Sequence, residues 1–197
     1  YTGNTTVVLQ SSSPCGSLQP PCLLVTNPAL GWTNQPRSLP ANGAIFVNGG
    51  NVKVSGTLDG QLTIGSSHDA VVSNHVRYAD NPQTNPASND VLGLVAERNV
   101  VIAWAAPDNL TIQASIMALN ESFTVENWWV GPPQGTLSIY GGIIQGRRGP
   151  VGTFSSRTGT ILSGYAKDYQ YDARLSNMAP PHYPTTGTYN LVQWKEE

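Results

Sequence analysis

The amino-acid sequence predicts an all-β protein wound as a parallel β-helix (β-solenoid), with an irregular N-terminal cap and a Tyr/Pro-rich closing segment. Three observations point there. The first is composition: 20 Gly and 15 Pro in 197 residues, only 11% charged yet 39% hydrophobic, suit many turns around a real core and argue against disorder. The second is local pattern. From Ala44 to Gly146, short β-rich pieces ("AIFV", "NVKVSG", "QLTIG", "LGLVA", "NVVIAW", "TLSIY") alternate with Gly, Asn or Asp, and no amphipathic helix interrupts them. The third is repetition. "NVKV" precedes "QLTI" by ten residues, "NVVI" precedes "NLTI" by the same ten, and the two pairs are offset by 48. Val52, Val54, Leu62 and Ile64 thus map onto Val100, Ile102, Leu110 and Ile112, each an i, i+2 pair on one strand face. "LSIYGG" later echoes "IFVNGG". Such self-similarity marks solenoids, propellers or arrays, and the sparse hairpin signals disfavour a propeller.

Taken in order, residues 1–42 read as a cap or entry segment of a strand or two plus irregular covering. Cys15 and Cys22 enclose "GSLQPP", which lacks the second ligand pair a zinc site needs; a local disulfide is expected, and with it export. Residues 43–146 are the repeats. Asn51, Asn99 and Asn109 each stand just before a strand, as corner residues do, and Gly49, Gly50, Gly141 and Gly142 are read as corners. The pattern leaves open whether 48 residues make one large coil or two smaller ones. "ADNPQTNPASND", residues 79–90, is a loop excursion. Residues 147–197 break the period and are expected to close the solenoid end, whose bare strand edges would otherwise invite aggregation.

The chemistry-bearing residues are few. Asp59, Asp69, Asp90 and Asp108 are scattered among turn residues, without the clustering that polysaccharide-cleaving β-helices require. His68, His75 and His182 have no metal-ligand spacing, and "SSHDA" lacks a nucleophile elbow, so neither catalysis nor a cofactor is expected. The formal charge of −2 argues against a generally basic nucleic-acid binder. Residues 145–175 run against that balance. Arg147, Arg148, Arg157, Lys167 and Arg174 outweigh Asp168 and Asp172 there, with Tyr169 and other aromatics interleaved. That is a candidate ligand or DNA surface, unless the aspartates pair with Arg174 or Arg148 and the tyrosines pack over the solenoid end. Trp128 and Trp129 are a second, exposed-aromatic candidate for carbohydrate or protein contact. No stretch is apolar enough to span a membrane.

The order "GAIFVNGGNVKVSG", "LGLVAERNVVI", "NLTIQASIMAL", "GTLSIYGGIIQGRRGPVGTF", "GYAKDYQYDARL", "PPHYPTTGTYNLVQWKE" resembles an uncharacterised bacterial cell-surface family. In it a β-solenoid region often follows a type IV pilin-like N-terminal helix. The resemblance runs from about residue 43 to 197. It implies a non-enzymatic, extracellular, pilus-associated module, structural or adhesive, with other surface or pilus subunits as partners. A DNA-binding module for pilus-linked DNA uptake and a polysaccharide-active β-helix enzyme are the alternatives, and the family supplies no catalytic residues to carry over.

Overall fold

The computed structural model describes residues 1–184; the last part of the expected closing segment, residues 185–197, lies outside the described residues. Fourteen strands form one sheet: β1 (Thr5–Gln10), β2 (Cys22–Asn27), β3 (Trp32–Ser38), β4 (Ala44–Val47), β5 (Val52–Leu58), β6 (Gln61–Ser66), β7 (Ala70–Tyr78), β8 (Val91–Ala96), β9 (Val100–Ile102), β10 (Thr111–Ala118), β11 (Phe123–Val125), β12 (Pro133–Gln145), β13 (Gly152–Phe154) and β14 (Ile161–Tyr171). The protein is all-β, and the sheet is mixed and curled into a half-barrel. Only β1–β2, β2–β3 and β13–β14 pair antiparallel; the other strand pairs are parallel.

The parallel strands stack into three ladders, because parallel pairing keeps equivalent side chains on the same face, and the bulge in the β5–β7 pair between Val54 and Gly56 shifts the register by two and so preserves the face. One ladder stacks Ile45, Ile64, Leu94, Ile116 and Ile143. A second stacks Val7, Val54, Val72, Ile102 and Val125. The third runs Gly56, Val76, Ile112, Ile139 and Tyr169. All five members of the second ladder are buried, each contributing about 2 kcal/mol of hydrophobic stabilisation.

The 48-residue offset is two pairing steps. Val52 pairs with Ala70, and Ala70 with Val100, so the apolar match skips a strand. The companion match does not hold. Leu62 pairs with Leu92, whereas Ile112 pairs with Val76 and Ile139, so Leu62 and Leu110 belong to different ladders. After β9 the chain enters the wall containing β7 rather than the one containing β8, and an i, i+2 apolar pair is equally at home in either.

β10 shows how one wall passes into the next. Its Ile112 lies beside β7, while Ser115–Ala118 lie beside β8, so the sheet turns a corner inside an unbroken strand. Gly141 and Gly142 pair with Ala114 and Ser115 at that bend. They therefore sit within β12, not in a connecting turn as Gly49 does with its φ of +67°. At Gly141 a Cβ would run into the Ala114 carbonyl oxygen, so only glycine lets the two backbones meet.

A polar file seals another corner. The Asn4 side-chain oxygen accepts from Asn51 N (2.9 Å), Asn51 Oδ1 from Asp69 N (3.1 Å), Asp69 Oδ1 from Asn99 N (3.0 Å) and Asn99 Oδ1 from Ser122 N (3.1 Å). Asn51 and Asn99 are thus the corner residues their position before a strand predicts. Asn109 adopts φ +53°, and its Oδ1 accepts from Thr136 N.

A strand or two plus irregular covering were expected over residues 1–42; three strands form there, because "TTVVLQ" and "CLLVTN" carry enough inward alternation to extend the sheet and β3 pairs onto β2. Cys15 and Cys22 form a disulfide, with Cα atoms 5.9 Å apart, across the turn between β1 and β2. The excursion at 79–90 is held by buried Asp90, whose carboxylate accepts from Gly60 N (2.6 Å) and Asp80 N (2.9 Å).

Beyond Gly146 the sheet continues: β14 pairs parallel with β12 as far as Tyr171. The segment from Asp172 to Pro184 then runs back along the flank, with Pro181 against Gly43 and Tyr183 against Gly93. The described part of the expected closing segment therefore covers a side of the sheet rather than its end. No described helix is long and apolar enough to cross a membrane.

Candidate ligand site at the sheet end

β14 is the last parallel strand, and its register decides where its side chains go. Lys167 pairs with Leu137 and Tyr169 with Ile139, so both occupy the inward side that Leu137 and Ile139 fill one strand earlier. With no further strand above them among the described residues, they border an open space instead of a packed core. β13 pairs with β14 only from Ile161 to Gly164, which leaves one backbone edge of Ala166–Tyr171 unpaired among the described residues.

Arg148 reaches the same space from the turn after β12. Gln145 Oε1 pins that turn by accepting from Phe123 N (2.9 Å) and Gly149 N (3.2 Å), and Arg147 N donates to Glu121 O (2.9 Å). Gly149 permits the close approach, since a Cβ there would strike the Phe123 carbonyl oxygen. The result is a cavity of about 300 Å³ floored by Phe123, Ile143 and Val151 and rimmed by Arg148, Lys167 and Tyr169. No carboxylate lines it, and neither Arg148 nor Lys167 has an ion-pair partner among the described residues. Burial and then the nearby Arg148 guanidinium pull the Lys167 ammonium below its ordinary value. Burial raises the Tyr169 hydroxyl, with Arg148 opposing. Two like charges held together without an acid favour an anion between them.

The other predicted residues are dispersed. Arg147 is exposed outside the cavity, and Arg157 stands in the turn between β13 and β14. Arg174 is committed elsewhere. Its Nη2 and Nε donate to buried Asp172 (2.7 and 3.0 Å) and its Nη1 to Ser88 O (2.7 Å), clasping the 79–90 excursion. Burial works against the Arg174 charge, but the Asp172 carboxylate raises its pKa overall. Trp128 and Trp129 lie in a turn, not a strand, with ring centroids 5.3 Å apart; Trp128 packs on the core and Trp129 faces outward.

Ser67 Oγ lies 3.1 Å from His68 Nδ1, but the Asp69 carboxylate is engaged by Asn99 in the polar file, so the three form no relay. Among the described residues no group of three His, Cys, Asp or Glu could hold a metal. A wider groove of about 1040 Å³ lies on the outer face by Met117, Ile144 and Leu175; it carries no charged side chain and ends at Pro184, the last described residue.

Sequence reasoning missed the cavity's floor and its brace. Phe123 and Val151 belong to short strand-like pieces whose place in the stack no local pattern reveals, and Gln145 reads as an ordinary strand-end residue. No protein-family model, curated protein or solved structure matches this chain.

Proposed function

We propose that the chain is a short parallel β-solenoid serving as a non-enzymatic extracellular module, structural or adhesive, that makes its contact through one end. The observation that carries this reading is that the two ends of the sheet are unlike. At one end β3 places Pro36, which has no N–H, and Asn34, at φ +46°, on the outermost strand, features that oppose addition of another strand. At the other end β14 offers an edge unpaired among the described residues, beside a cavity that they line with two cations and no carboxylate. Such a module resists strand addition at β3, although β4 at that end pairs only with β6, and it is equipped to meet something else at β14. The stacked parallel ladders and the polar file from Asn4 to Ser122 support the solenoid reading. The Cys15–Cys22 disulfide supports an oxidising, extracellular location, and the sequence resemblance adds association with a pilus-like appendage.

The test is retention on heparin-agarose at low salt, paired with sedimentation velocity. The wild-type protein should sediment as a monomer and be retarded. The double variant Arg148→Glu/Lys167→Glu should pass unretarded with an unchanged circular dichroism spectrum, and Arg157→Glu should behave like wild type. Equal retention of all three proteins, or head-to-tail filaments, would overturn the reading. Duplex DNA binding with a steep salt dependence that tracks Arg147 and Arg157 as well would replace it with the DNA-binding alternative.

A further inference from the structure

We infer that the cavity between Arg148, Lys167 and Tyr169 is a subsite for one hexuronate unit of an acidic glycan. This rests on the reading of the sheet end as the contact surface and names what that surface takes. Charge sets the first requirement: two cations and, among the described residues, no carboxylate call for an anionic group. Size sets the second. About 300 Å³ is at the small end of ligand sites, suited to a single pyranose ring and far too small for a nucleic-acid duplex.

The floor sets the third. Half-buried Ile143, backed by buried Phe123 and Val151, gives the cavity an apolar floor that matches the C–H face of a sugar and that a bare phosphate would leave unmatched. Tyr169, 40% exposed, offers a ring edge or face at the rim. Gln145 holds its Oε1 against two backbone N–H groups, which leaves its Nε2 to donate to a hydroxyl or carboxylate. The edge of β14, unpaired among the described residues, leaves the mouth open for the units on either side of the bound one to run out into solvent. With no carboxylate among the described lining residues, the site lacks the paired carboxylates that hydrolyse a glycosidic bond.

The experiment is calorimetric titration with trigalacturonate, alongside maltotriose, inorganic phosphate and a 12-nucleotide single-stranded DNA. Trigalacturonate should bind saturably at one site while maltotriose does not. Arg148→Gln and Lys167→Gln should each weaken it by about tenfold or more, the loss expected when a charge-assisted contact goes. Tyr169→Ala should weaken it further, Arg157→Gln should leave it unchanged, and all four variants should melt near the wild-type temperature. Phosphate or the oligonucleotide binding as tightly as trigalacturonate would overturn the assignment, as would indifference to Arg148→Gln. Heparin retention that persists without trigalacturonate binding would sink this inference and leave the end-contact reading standing. Loss of both would remove both.

Discussion

At the residue scale, two adjacent glycines separate a steric requirement from a permissive position. A Cβ on Gly141 collides with the Ala114 carbonyl oxygen, whereas one on Gly142 meets its nearest neighbour, a Leu175 methyl, at an ordinary 3.5 Å. Gly141→Ala should therefore cost about 3 kcal/mol in denaturant unfolding, because the strand must move, while Gly142→Ala should cost less than about 1 kcal/mol. His75 gives a second residue-level expectation. Its Nδ1 accepts from Thr111 N (3.1 Å), a bond only the unprotonated nitrogen makes, and burial followed by Arg77 lowers its pKa. The unfolded chain, with a His pKa of about 6.5, takes up the proton first. His75's contribution is thus complete above about pH 6.5 and declines as the pH falls toward the lowered native value. Unfolding midpoints measured at several pH values should fall on acidification, and less steeply in His75→Gln; identical slopes would refute this.

At the element scale, the clasp of Arg174 on Asp172 and Ser88 ties the short helical turn Ala173–Ser176 to the 79–90 excursion. The Asp172 side chain is 1% exposed, so Arg174→Met would strand a buried carboxylate and should cost about 3 kcal/mol. Adding Asp172→Asn should recover a good part of that loss, and thermal melts of the single and double variants measure it. An Arg174→Met variant as stable as wild type would mean the clasp is ornamental. The β2–β3 hairpin, tied at Cys22 to the β1–β2 connection by the disulfide, forms the opposite element, with Pro36 and Asn34 on its outermost strand.

At the scale of the whole molecule, parallel ladders make each strand depend on its two neighbours, so stability should be greatest where both are present. β5, β7 and β10 lie in the middle of the strand order, while β3 and β13 end it, with β14 beside β13. Amide hydrogen exchange should therefore be slowest in β5, β7 and β10 and fastest in β3 and along Ala166–Tyr171. Uniform protection would contradict a sheet with one sealed and one open end.

Local alternation and turn chemistry were enough to read the β class, the corner roles of Asn51 and Asn99, the disulfide and the 79–90 excursion, because each depends on contacts within a few residues or on a repeated side-chain pattern. The same reading brought Arg148, Lys167 and Tyr169 into one candidate region, since basic residues and tyrosines stand out in a chain that is 11% charged. Only the tertiary structure decided that a 48-residue offset spans two pairing steps, that Leu62 and Leu110 sit on different walls, and that β14 extends the sheet rather than covering it. It also withdrew Arg174 from the surface and set Phe123 and Val151 beneath Arg148. The physical reason is that inward pairs look alike on every wall, so which wall a strand joins, and what its last side chains face, is fixed by packing between segments far apart in the chain.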